Sequence, residues 1–341
     1  MVRMSEHLSE PRLGSLVTPD HEPVQLWSII DFQRWWYAME ERFLTPIGRK
    51  LLYAVSDAEE DLLRRQVEYR HRWYRRRTSL EQRLAERRLM MGWGRFEFTG
   101  KVVYQPIHDL IEAGSGLAHL EHLYSQRFTM TWQQHNEGTM SLSCSPKAEP
   151  MTSVGKASPR NWCSVGPAVG NDGAMDVEIS RRDVGFFVND QRHFLLPSTA
   201  LLYLYDALLS VEPRPNHGPP GLVMSTVDPS EVSLFHHVAG AAFEAVTASN
   251  RMVFFDSQEQ LAGVLRTHVH RHGMGGVVIE TFQAPNHMTL RLTGAHTPLL
   301  AGWTFGLLRL ASGERMEGRL SSKGDVWYLA IQPEKVSFDH M

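Results

Sequence analysis

GSLVTPDHEPVQLWSII (Gly14–Ile30) and GFFVNDQRHFLLPSTA (Gly185–Ala200) decide the fold, because each reads as the other. Both run strand, polar turn, strand, and then the start of an apolar helix. Turn formers fill the gap in each: Thr18-Pro19-Asp20 in one, Asn189-Asp190 in the other. Working outward, the next segments also match. IIDFQRWWYAMEERF (Ile29–Phe43) answers TALLYLYDALLSV (Thr199–Val211), and PIGRKLLYAVSDAEEDLL (Pro46–Leu63) answers HVAGAAFEAVTASNRMVF (His237–Phe254), with Gly48 and Gly240 in matching places. Two helices that open at Ser79 and Ser257 follow, each with an early glutamate and a glycine-containing stop. After each stop come two extended segments, a helix and a closing hairpin that turns at Asn136-Glu137-Gly138 or Lys323-Gly324-Asp325. The series of matches predicts a head-to-tail duplication of one α+β unit, an antiparallel sheet with helices packed on it. Repeat one spans 11–146 and carries an arginine-rich helical insert. A Ser-, Pro- and Gly-rich surface linker spans 147–174, and repeat two spans 175–335.

Composition agrees with a globular chain of that size. The protein has 341 residues, 42% hydrophobic and 21% charged, with a formal net charge of −3, so no global field marks a nucleic-acid or membrane-surface protein. No apolar run reaches transmembrane length, and MVRMSEHLSEPRLG lacks the apolar core of a signal peptide. The only cysteines are Cys144 and Cys163, which excludes a disulfide framework and fits a reducing cytosol. The expectation is therefore a cytoplasmic protein.

GMGGVVIETFQAPNHMTLRLTGAHTPLLAGWTFGLLRLASGERMEGRLSSKGDVWYLAI (Gly273–Ile331) resembles the 4-vinyl-reductase domain, with its glycine-containing stop, two strands, small-residue helix and glycine-turned hairpin. Repeat one resembles the same domain more weakly. The resemblance implies the fold shared by heme-NO-binding domains and TRAPP-type trafficking subunits, and an apolar pocket able to take a small molecule or an acyl chain. It also implies a zinc site of one Glu and three Cys in many members. Here Glu317 matches the Glu, but the hairpin positions fall near Leu320 and Trp327, and in repeat one near Thr131, Gln134 and Ser141, which leaves no such zinc site.

Several residues stand out for chemistry. Trp303, Phe305 and Trp327 are the candidate walls of an apolar ligand pocket, against the plainer reading that they are core. Phe32, Trp35, Trp36 and Tyr37 crowd one helix. Neighbouring positions differ by about 100°, so at least one ring must be exposed or at an interface within the chain or between chains. Arg64–Arg88 holds ten arginines against three glutamates with Tyr69, Trp73 and Tyr74 interleaved. It reads as a solvated face, as a protein-binding surface, or less favourably as a nucleic-acid or anionic-lipid contact. Trp35, Trp36, Arg72, Trp73, Arg75 and Arg76 are the partner-binding candidates. His268 and His272 share a helix face with metal-competent spacing, although a solvated helix end is the simpler reading. His119 and His122 beside Glu121 read as an exposed polar face. Gly273-Met274-Gly275-Gly276 reads as a helix stop and close packing, because a phosphate cradle needs the opposite strand-to-helix order.

No G-x-S-x-G, H-E-x-x-H, Walker or dinucleotide pattern occurs, and no catalytic residue, metal or cofactor is assigned. The functional expectation is a non-enzymatic, ligand-responsive adaptor that folds as its own pseudo-dimer, with a homodimer open. It binds a protein partner and a small apolar ligand. The alternative, by resemblance alone, is an enzyme or accessory factor of tetrapyrrole metabolism.

Overall fold

The computed structural model describes residues 2–69, 77–135, 138–158, 160–163, 178–182, 185–215, 218–225, 227–284, 287–294, 296–313, 316–324 and 326–334. The first half contains β1 (Val2–Arg3), β2 (Ser9–Arg12), β3 (Ser15–Val17), β4 (Pro23–Ser28), α1 (Ile29–Glu40), α2 (Gly48–Arg65), α3 (Arg77–Met90), β5 (Arg95–Glu97), β6 (Val102–Tyr104), α4 (Asp109–Tyr124), β7 (Phe128–His135) and β8 (Thr139–Pro146). The second contains β9 (Glu178–Arg182), β10 (Gly185–Val188), β11 (Gln191–Pro197), α5 (Ser198–Leu208), β12 (Leu222–Met224), α6 (Val232–Thr247), α7 (Gln258–His268), β13 (Gly276–Ala284), β14 (His287–Thr293), α8 (Thr297–Ser312), β15 (Met316–Lys323) and β16 (Val326–Pro333). The chain is α+β, and among the described residues every strand pairing is antiparallel except β12 on β15.

Each half ends in a sheet of the same order. The first runs β5-β6-β8-β7, and the second runs β13-β14-β16-β15 with β12 added outside β15. The opening hairpins do not stay apart. They join into a single sheet, β1-β9-β10-β11-β4-β3-β2, in which β4 of one half pairs with β11 of the other. The register is symmetric about one rung. Leu26 faces Leu195, flanked by Ser28 against His193 and Val24 against Pro197, with Ser28 and Pro197 the last strand residues before α1 and α5. That rung marks a local two-fold axis between the halves.

The helices exchange across the same axis. Helix α1 packs on α6 of the other half, and α5 packs on α2, while α2–α4 and α6–α8 pair within halves. The hydrophobic core runs through both halves without a break. Trp27 meets Trp303 edge-on with centroids 5.6 Å apart, and Phe32 meets Phe194 at 5.4 Å, so the largest rings stitch the halves together.

Glycine sets the closest approaches. Gly302 on α8 lies so near α6 that a Cβ would sit 2.0 Å from the Ala239 carbonyl oxygen. At the seam, the carbonyl of Gly14 in the first hairpin accepts the amide of Gly275 (2.9 Å) in the second half's Gly-x-Gly turn. On the opposite side, Gly185 stands over Gly92 in the same way, a Cβ there meeting the Gly92 oxygen at 2.8 Å.

Four features differ from the sequence expectation. Strands β1, β2 and β9 extend the shared sheet, and β12 forms inside the proline-rich stretch 212–229, where its three residues need only one partner strand. Helix α6 starts at Val232, before the expected His237, and ends at Thr247, leaving 249–255 outside regular structure. The stretch expected as a surface linker instead plants Trp162 in the core, against Tyr205 (5.1 Å) and Phe235 (5.7 Å). Arg160 beside it pairs with Asp206 and Glu231. Among the described residues no helix is long and apolar enough to cross a membrane.

Candidate functional site

The sequence-selected rings fall into the core. Trp303 is fully buried, its indole donating to the His268 carbonyl (2.9 Å). Phe305 packs on Phe243 at 5.7 Å, and Trp327 lies against Phe235 at 5.6 Å. None of the three lines the cavity described below. Trp35 and Trp36 are buried as well, in the layer that joins α1 to the other half, so the association this helix serves lies within the chain and neither ring is open to a partner. Tyr37 is the exposed ring of the run. Arg72, Trp73, Arg75 and Arg76 lie outside the described residues.

The arginine-rich segment is not uniformly a surface. Arg87 and Arg88 at its end are fully buried. Arg87 reaches both oxygens of Glu59 (2.5 and 2.8 Å) and Glu22 (2.8 Å). Arg88 pairs with Glu112, whose other oxygen accepts the amides of Gly94 (2.8 Å) and Ile107 (3.0 Å). Burial costs both guanidinium groups their water, and carboxylates from α2, α4 and the β3–β4 turn supply the compensation. His119 was expected on an exposed face. It is buried instead, with its Nε2 at 3.2 Å from Glu59, and burial pulls its pKa down to about 4 against that bond. Burial also raises Glu22 to about 7 despite Arg87, while Arg87 overcomes burial at Glu59 and holds it down at about 2. His122 Nε2 donates to the Tyr69 carbonyl (2.7 Å).

The HVHRH stretch is not a solvated helix end either. α7 stops at His268, and the next turn folds His270 and His272 inward. His272 Nδ1 donates to the Leu26 carbonyl (2.8 Å), on the axial rung, and His270 Nε2 accepts the Val277 amide (3.0 Å). The first bond ties the turn to the shared sheet and the second ties it to β13. Among the described residues no group of three or more His, Cys, Asp or Glu is placed to hold a metal ion.

The site that both halves build lies beside this turn. A cavity of about 250 Å³ is bounded by Leu13, Gly14, Leu16 and Val24 from the first hairpin, Gly273 and Gly275 from the turn, Thr293 and His296 before α8, and Ser198, Thr199 and Leu202 of α5. Cys163 closes one side, and the exposed Arg12 and Pro23 stand at its mouth. Its walls are mostly apolar, with a few polar groups converging, the composition of a small-molecule site. His296 is fully buried, with no hydrogen-bond partner on Nδ1 or Nε2, and Thr199 Oγ1 lacks one as well. Burial drives the His296 pKa down to about 3, so the ring is neutral, with one N–H donor and one lone pair unused. Burial also raises the Cys163 thiol to about 12, which removes thiolate chemistry at neutral pH.

At the counterpart place in the other half an arginine reaches in. Counting back from the helix starts, Arg192 on β11 stands where Pro23 stands on β4. Its Nε comes to within 3.3 Å of where a Gly185 Cβ would lie, and its Nη1 donates to the Gln105 carbonyl (2.8 Å). Gly185 and Gln105 are the counterparts of Gly14 and Thr293, so the Arg192 side chain runs between the two places whose equivalents wall the cavity.

Sequence reading missed this cavity because its walls come from five separated segments. A histidine directly before α8, with another, His108, directly before α4, was the only local signal. No family model, curated protein or solved structure matches this chain.

Proposed function

We propose that this protein is a single-chain pseudo-dimer of two vinyl-reductase-like units that works as a non-enzymatic, ligand-responsive adaptor. A small, largely apolar molecule occupies the cavity at the seam. The family part of this reading is supported by the repeated element order and the matching terminal sheets. The binding part is carried by one observation: a buried imidazole with both nitrogens unpartnered faces a cavity walled by both halves. A buried polar group without a partner costs on the order of 1–3 kcal/mol, and a ligand that supplies the bond recovers it. Chemistry at the site is disfavoured, since an imidazole near pKa 3 is a weak base at neutral pH and no carboxylate among the described residues lines the cavity to orient it. Because α5, the first hairpin and the turn before α8 all touch the cavity, occupancy would stiffen the contact between halves and present a changed surface to a partner. Exposed Met252 and Phe254, joined to α1 through the Arg251–Asp31 ion pair, offer apolar surface for that contact.

The test is thermal melting with indole and naphthalene as probes. Both should raise Tm saturably in the wild type and have no effect on Leu202→Trp, whose new ring fills the cavity. No shift with either probe in the wild type would sink the reading.

A further inference from the structure

We infer that the seam cavity is built for an anionic head group, and that its ligand is a monocarboxylate with an apolar tail, about ten non-hydrogen atoms in all. The inference rests on the binding reading above and adds the chemistry of the ligand.

Size follows from volume. A cavity of about 150 Å³ accommodates benzene, so about 250 Å³ holds roughly ten heavy atoms. Sign follows from what faces the space. Among the described residues, Arg12 at the mouth is the one lining side chain with a formal charge, and none of the lining residues is acidic. Glu10, the nearest acid in sequence, is not a lining residue, and its Oε1 accepts the Gly14 amide at 2.8 Å.

Two helices begin at the cavity. α5 has 11 residues and opens with Ser198 and Thr199, both lining residues. α8 has 16 residues and is preceded by His296. Neither start has a side-chain cap, whereas Ser28 and Ser257 cap α1 and α7. First-turn amides have no partner within their own helix and carry the positive end of its dipole, so both starts favour negative charge.

His296 supplies the independent observation. It is buried, faces the same space, and both its ring nitrogens lack partners. A neutral imidazole donates one hydrogen bond, and Thr199 Oγ1 is a second side-chain donor without a partner. A carboxylate has the acceptor sites to take both bonds and those of the helix amides. An amine would meet two positive helix ends.

The experiment is titration calorimetry of the full chain at pH 7.5 with three probes that share one tail: octanoate, 1-octanol and octylamine. Octanoate should bind about tenfold more tightly than octanol, and octylamine should give no detectable binding. Octanol binding as tightly as octanoate, or octylamine binding at all, would overturn the head-group inference while leaving the cavity reading intact. If none of the three binds and indole also fails, the cavity reading itself falls. His296→Phe should abolish octanoate binding, and His296→Gln, which keeps a donor, should retain the preference over octanol. Should His296→Phe fail to fold, Leu202→Trp serves as the blocking variant. Octanoate binding unchanged in a folded blocking variant would place the ligand elsewhere and overturn the proposal.

Discussion

A methyl group added at Gly14 would sit 2.1 Å from the carbonyl oxygen of Gly275, whereas one added at Gly138 would meet nothing within 4 Å, although the two residues share nearly the same φ, +64° and +66°. The pair separates backbone strain from collision. Gly138→Ala should cost about 1 kcal/mol, the left-handed penalty alone. Gly14→Ala should cost at least about 3 kcal/mol, because two backbones must part. Chemical denaturation of both variants checks the difference. The sequence shows Gly14 and Gly185 as equivalents, yet it does not show that each closes on the other half's turn, since nothing local encodes a contact with a residue so distant in the chain. The buried histidines carry a second expectation. His119, His272 and His296 stay neutral in the fold, with pKa values near 4, 3 and 3, against an ordinary value near 6.5. The unfolded chain therefore binds more protons below pH 6.5, and stability must fall as pH drops from there towards the folded values. Each histidine should lose about 2 kcal/mol between pH 6.5 and 5. Glu22, raised by burial to about 7, acts in the opposite direction, with a stabilising contribution that fades as pH rises towards 7. The three histidines outweigh it, so urea midpoints should decline steeply from pH 6.5 to 5. A flat profile across that window would contradict the burial of these rings.

Helices α3 and α4 of the first half hold charges where α7 and α8 of the second hold none. By distance from the Gly-x-Gly turns and the helix starts, Arg88 and Glu112 correspond to Val269 and Leu300, both fully buried. One element pair thus exists in an ionic and an apolar version. Removing one charge alone, as in Glu112→Leu, should cost about 3–5 kcal/mol, because the Arg88 guanidinium stays buried without its partner. Arg88→Val with Glu112→Leu should recover much of that loss by adopting the other half's solution, although the Gly94 and Ile107 amides lose their acceptor. A double-mutant cycle on urea midpoints measures the coupling. Most element positions were legible from period and punctuation, including the Ser257 cap, the Gly273 stop and both closing hairpins. The burial of Arg87, Arg88, His119 and His272 was not. A residue's own segment shows its charge, while the carboxylate that makes burial tolerable lies on a different helix.

At the level of the whole chain, the shared sheet and exchanged helices predict that the halves are not independent. Residues 1–155 and 156–341 expressed as separate chains should be poorly folded alone. Co-expressed, they should co-purify one to one, with a circular dichroism spectrum like that of the intact protein. A first fragment that melts cooperatively as a monomer would contradict the intertwined core. The cut leaves Arg160 and Trp162 with Asp206 and Glu231, their partners in the second fragment. The repeated order of the closing strands could be read from sequence because each half carries its own turn and stop signals. The cavity could not, because it exists only once the halves are folded against each other. The reach of Arg192 into one of two related places also bears on stoichiometry. A symmetric homodimer of such a unit would offer two equal sites and room for cooperativity. With Arg192 reaching into one of them, this protein should saturate at a single equivalent along a simple hyperbola, reporting ligand concentration in graded fashion rather than as a threshold.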